Sequence, residues 1–169
     1  MVGVVLAALT VAAIELNSQT FVGAVRPEAD DLRALIARGV ERSATFRDLV
    51  TRLNASDVVI YVRFSRCAGS IPTCLFWAEP GPGVRRVVIR VNRAGLSEDS
   101  LVALLGHELQ HAWEVASDAS IKDAASFARA FQQRGWKGTD TFETGEAQDV
   151  GRQVRKELSA YHGAVSGKR

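Results

Sequence analysis

Apolar positions along this chain change their spacing twice, and the changes set out its elements before any composition is considered. Between residues 29 and 53 they recur every three or four positions, as Leu32, Leu35, Ile36 and Val40 and then Phe46, Leu49, Val50 and Leu53. That period lays one apolar stripe along a helix. Pro27 with Glu28, Asp30 and Asp31 marks its start, Gly39 weakens the middle and Ser43 is placed to cap a second segment, so one interrupted helix or two is expected. From Asp57 the pattern shortens to β-branched and aromatic runs, VVIYVRF at 58–64, CLFWAE at 74–79 and VRRVVIRV at 84–91. These read as three strands, and their short connectors, among them Pro80-Gly81-Pro82-Gly83, favour antiparallel neighbours in a meander with one face on helices.

The helical period then returns. Ser97 can cap a helix reaching about Ser117, with Glu98 and Asp99 in its first turn, where acids complement the helix dipole. Ser120 can cap another that Gly135 ends, and a last helix is expected from Phe142 towards Tyr161. The fold class is therefore α+β, a small antiparallel sheet of about three strands packed on helices.

Composition narrows the reading. A chain of 169 residues that is 47% hydrophobic supports one compact domain with a real core. A net charge of +2, with acids and bases interspersed, gives no reason to expect nucleic acid or a polybasic membrane contact. Arg152, Arg155 and Lys156 have helical spacing and read as a solvated helix face. Val2 to Ile14 carries no charge and is short for a bilayer span. Residues 1–24 are therefore expected to be a signal-peptide-like or anchor segment, with cleavage possible after Ala24, although no Lys or Arg precedes the apolar run. Residues 25–169 would then be the domain, exported to a periplasmic or extracellular space or held at a membrane by that segment alone. Cys67 and Cys74, the only cysteines, bracket a loop containing Gly69 and Pro72, and a disulfide is expected between them in an exported protein. Their spacing is wide for paired zinc ligands.

The chemistry is concentrated in His107-Glu108-Leu109-Gln110-His111, an HExxH motif inside the helix that Ser97 caps. Residues four apart on a helix share a face, so both imidazoles can reach one Zn2+ at about 2.0–2.1 Å. Glu108 lies beside them, able to reach a water at the metal without being a ligand. Leu105, Leu109, Ala112 and Ala116 fall on the opposite side and can anchor the helix in the core. Glu114 is placed to orient a ligand histidine and Trp113 to pack beside the site, while Phe76 and Trp77 read as core or pocket lining.

LLGHELQHAW resembles the active-site helix of the zincin superfamily of zinc metallopeptidases. The metzincin extension is absent, with Glu114 and Ser117 at its positions, and this leaves the gluzincin pattern, in which a glutamate from a later helix completes the site. Glu143 is the first choice for that third ligand, because Thr144, Gly145 and Ala147 are small enough for close approach; Glu146 is the alternative, with Asp149 as its neighbour. The resemblance implies a zinc-dependent metallohydrolase acting on peptide or protein substrates, with Glu108 as the catalytic base. It also implies a strand edge that aligns an extended peptide, for which VRRVVIRV is the candidate. Tyr161, His162 and Arg152 are unassigned candidates for stabilising an oxyanion, and His162 reads first as a surface residue. The alternative is a catalytically inactive, zinc-stabilised domain that binds a peptide or a partner.

Overall fold

The computed structural model describes residues 23–81, 83–93, 95–134, 136–138 and 141–166. Most of the expected leader, through residue 22, and the expected helix terminator Gly135 lie outside the described residues. The elements run β1 (Val25–Pro27), α1 (Asp30–Arg42), α2 (Ala44–Asn54), β2 (Val58–Phe64), β3 (Thr73–Gly81), β4 (Val84–Val91), α3 (Glu98–Ala116), α4 (Ala124–Arg134), β5 (Trp136–Gly138), β6 (Thr141–Glu143) and α5 (Gly145–Ser166). No described helix is long and apolar enough to cross a membrane.

The α+β class holds, but the sheet is not an antiparallel meander. Its order is β1-β2-β4-β3, with β1 and β2 parallel, β2 and β4 parallel, and β3 antiparallel to β4. The short turn between β3 and β4 does join antiparallel neighbours. Residues 65–72, in contrast, carry the chain past the slot that β4 fills, and eight residues reach more than far enough to cross two strand spacings of about 4.8 Å. Cys67 in this crossover is joined to Cys74 of β3, with Cα atoms 6.1 Å apart. The pairing leaves VRRVVIRV in the sheet interior, bonded on both sides, and among the described residues β3 instead forms the open edge on that side of the sheet.

Alternation decides what each strand offers the helices. Val58, Ile60, Val62, Val87, Ile89 and Val91 point inward and are almost fully buried against Leu32, Ile36, Phe46, Leu49, Leu53, Leu105 and Leu109. Full burial of each such side chain stabilises the fold by about 1.5–3 kcal/mol relative to exposure. The register puts Thr73 and Arg85 on this same inner face, one opposite Val91 and the other opposite Val58.

The interrupted first helix is two helices. Ser43 has an extended backbone and accepts from Phe46 N at 3.0 Å, which starts α2. Ser97 caps α3 as expected, accepting from Ser100 N at 3.2 Å. Its far end is held by Arg85, whose guanidinium donates to the carbonyls of Val115 at 2.6 Å, Ala116 at 3.0 Å, Asp118 at 2.8 Å and Ile121 at 3.3 Å. Asp57 completes the fork with contacts of 2.6 and 2.9 Å. A cation that saturates the bare carbonyls of a helix C-terminus also complements its dipole. α4 begins later than expected because Asp123, not Ser120, is its cap, accepting from Ser126 N at 2.7 Å. α5 packs closely along α3, and a Cβ at Gly106 would stand 2.9 Å from Val154.

Candidate metal centre

Three side chains from two places in the chain meet beside α3. His107 and His111 stand one turn apart on that helix, and Glu143 comes from β6, immediately before α5. The sequence reading put Glu143 inside the last helix. It lies instead on a three-residue strand paired with β5, because α5 starts only after Thr144, whose hydroxyl accepts from Ala147 N at 3.2 Å as an N-cap. Ligand atoms of His107, His111 and Glu143 all lie within 4.8 Å of one another.

The geometry of this group suits a small divalent ion. Two donors each about 2.0–2.1 Å from a tetrahedral ion stand about 3.3–3.4 Å apart, and His107 Nε2 lies 3.3 Å from Glu143 Oε1. Two imidazoles and a carboxylate form a donor set that zinc accepts, and three ligands leave one position open. Glu146 takes no part; it is exposed and borders a different cleft, with Gln110, Trp113, Glu114 and Ser117.

Each histidine is oriented from behind. His111 Nδ1 lies 2.9 Å from Glu114 Oε2, and the other oxygen of Glu114 accepts from the Thr144 hydroxyl at 2.6 Å. With Glu114 as the acceptor of this bond, His111 donates from Nδ1 and its Nε2 lone pair is left for a metal ion. For His107, Nδ1 faces α5 at Gly151, and the Ala147 carbonyl accepts from the ring. One cap residue therefore serves two elements, since Thr144 both starts α5 and fixes the carboxylate that aims His111. Phe131 of α4 packs its ring edge-on against His111 with centroids 5.5 Å apart, and Phe127 links it to Trp77 of β3.

Electrostatics separate the two acids of the site. Burial opposes the charge on His107, but its hydrogen bond to Glu143 and the nearby charges of Glu108 and Glu143 outweigh this and raise its pKa. Burial likewise works against the Glu143 carboxylate, and the same hydrogen bond and the two histidines bring its pKa below the usual value. Glu108 goes the other way. It is 4% exposed, and burial pushes its carboxyl up against the downward pull of His111, His107 and the Thr73 hydroxyl.

No protein-family model, curated protein or solved structure matches this chain. The chemistry is therefore read from the donor set and its surroundings.

Sequence reasoning missed Thr73, Thr144, the Ala147 carbonyl and Phe131. Thr144 carried a signal, since a threonine just before a helical run is a cap candidate; Thr73 had none, because it meets Glu108 only through the register of β3. The unassigned oxyanion candidates scatter. Tyr161 lies under the Arg42 guanidinium, 5.0 Å from its ring centre, and His162 bonds Asp99 at 2.8 Å. Both lie about 25 Å along α5 from its start. Arg152 is exposed and paired with Asp149. Trp113 packs under Arg52, Phe76 lies under Arg90 on the outer sheet face, and only Trp77 joins the cluster beside the site.

Proposed function

We propose that this chain is a zinc-dependent metallohydrolase that cleaves peptide bonds, with His107, His111 and Glu143 as metal ligands and Glu108 as the proton-transferring residue. The observation that carries this reading is the convergence of two imidazole nitrogens and a carboxylate oxygen within 4.8 Å, next to a buried acid that is not part of the group. A site built only to hold a metal has no need of that fourth residue. Resemblance of the HExxH helix to zincin peptidases supports the same assignment.

Zinc held there would supply Lewis acidity at a carbonyl and bring the pKa of its water towards about 7. Glu108 takes a proton from the attacking water and returns it to the departing amine, and a carboxyl raised by burial is better matched to both transfers near neutral pH. The Thr73 hydroxyl is a hydrogen-bonding partner of that carboxylate. β3 begins at Thr73 and has its outer edge open among the described residues, so an extended substrate would pair along it by strand addition. The Cys67–Cys74 disulfide supports an oxidising compartment, and export or anchoring through residues 1–24 belongs to the same proposal.

The test is metal analysis paired with hydrolysis of a peptide library. Purified protein is expected to carry about one zinc per chain, to lose it in His107→Ala and His111→Ala, and to cleave peptides only when loaded. A protein that binds zinc tightly and hydrolyses no peptide would leave a zinc-stabilised binding domain in place of the enzyme.

A further inference from the structure

A groove runs between α3 and α5 directly beside His107 and encloses about 360 Å³. Ala103 and His107, one turn apart on α3, form one wall; Gln148, Gly151, Arg152 and Arg155 of α5 form the other. Gly151 is what keeps the groove shallow at the histidine, since a Cβ there would stand 3.3 Å from His107 Cβ and 3.5 Å from the Ala103 carbonyl oxygen. Arg152 and Arg155 are three residues apart on one helix face, and both are exposed. Among the described residues no carboxylate lines the groove.

The positive charge is available rather than spent. Arg152 is paired with Asp149, itself 73% exposed, and a guanidinium engaged by one carboxylate keeps further donors. Arg155 has no ion-pair partner among the described residues. Two guanidinium groups at the mouth of a groove with no acid in its lining favour one class of guest, because planar forked donors match carboxylates in number and geometry. The groove also borders a proposed metal ligand, on the Nδ1 side of His107 that Gly151 faces, so a group seated in it would be set apart from the metal position by the width of one imidazole ring.

We propose that this groove is a subsite for a substrate carboxylate, held by Arg152 and Arg155, and that the chain prefers peptides with an acidic residue or a free C-terminus beside the cleaved bond. The assignment rests on the hydrolase reading for its biological sense but has its own binding signature. The acidic side chain and the chain terminus present the same chemistry, and the experiment tells them apart.

The experiment uses the full chain carrying Glu108→Gln, so that binding is read without turnover. Four fluorescent peptides of one sequence, with Glu or Gln at the varied position and a free or amidated C-terminus, are titrated by fluorescence anisotropy. Binding about tenfold tighter is expected for one carboxylate over its amide, and the pair that shows the difference identifies the source. Adding Arg152→Gln and Arg155→Gln together should bring that ratio to about one, while Arg155→Lys should keep part of it. Helix content and melting temperature, measured on each variant, check that these exposed substitutions leave the fold intact. Equal binding of all four peptides, no detectable binding of any, or a preference that survives the double substitution would overturn the subsite. Parallel hydrolysis assays with unsubstituted Glu108 keep the two readings separate. Cleavage without acid preference removes the subsite and keeps the hydrolase; acid-selective binding without cleavage does the reverse.

Discussion

Glu108 and Glu157 are both drawn into helix packing, yet their surroundings drive them in opposite directions. Glu157 on α5 reaches the start of α2, where it accepts from Ser43 Oγ at 2.5 Å, Thr45 N at 3.1 Å, Thr45 Oγ1 at 2.7 Å and Gln153 Nε2 at 2.9 Å. Burial works against its charge, but these donors outweigh it and bring the pKa to about 2. Glu108 is more deeply buried and has the Thr73 hydroxyl as its hydrogen-bonding donor, so burial prevails and the carboxyl is pushed up. A carboxylate that serves architecture is saturated with donors. One left short of them in the interior, as Glu108 is, is pushed towards its neutral form.

The comparison breaks most sharply if the two residues are neutralised in turn. Glu108→Gln is expected to lower hydrolysis by about a thousandfold while zinc content and fold are kept, because the amide preserves shape but cannot accept a proton. Steady-state kinetics beside metal analysis check this, and full activity in the variant would remove Glu108 from the chemistry. Among the other acids of the region, Glu143→Ala should weaken zinc binding by at least about a hundredfold, and Glu114→Gln by about tenfold to a hundredfold through a less firmly oriented His111. Glu146→Ala should leave it nearly unchanged. Zinc retained against a graded chelator distinguishes the three, and loss in Glu146→Ala alone would move the third ligand.

The smallest effect belongs to Glu157. Its folded pKa lies below the unfolded value of about 4.5, so its contribution is complete above that value and is lost as pH falls towards about 2. Glu157→Gln should therefore cost about 1–2 kcal/mol at pH 7, after allowance for solvent screening of a partly exposed group. The gap between variant and parent should close between about pH 4.5 and 2. Denaturant unfolding across that range checks the sign, and a gap that widened with acid would refute it.

The difference between these carboxylates was only partly legible in the sequence. Glu108 is marked by its neighbours at i−1 and i+3, a local pattern that a helix converts directly into geometry. Glu157 has no such mark, since apart from Gln153 its partners, Ser43 and Thr45 at the start of α2, lie more than a hundred positions away. The same limit explains the sheet. Periodicity reads each strand, and β2, β3 and β4 appear close to where they were expected, but strand order depends on which neighbours close the core. A crossover of eight residues permits either an adjacent slot or a skipped one. β1, with three residues, is too short to show a period. Glu143 was recognised as an acid at the right distance, while its place on a strand depended on a hairpin of three-residue strands and on the cap at Thr144.

Arg85 has a consequence for the order in which the molecule comes apart. Its four carbonyl partners span residues 115 to 121, across the last turn of α3 and the loop beyond, so its guanidinium is satisfied only when both are in place beside β4. Contacts that need so much structure already formed belong late on the folding path and break early on the way out. Replacing Arg85 with Met should then steepen escape from the native state, raising the unfolding rate while leaving the refolding rate close to that of the parent. For a helix that carries both histidines, that barrier sets how long His107, His111 and Glu143 stay gathered.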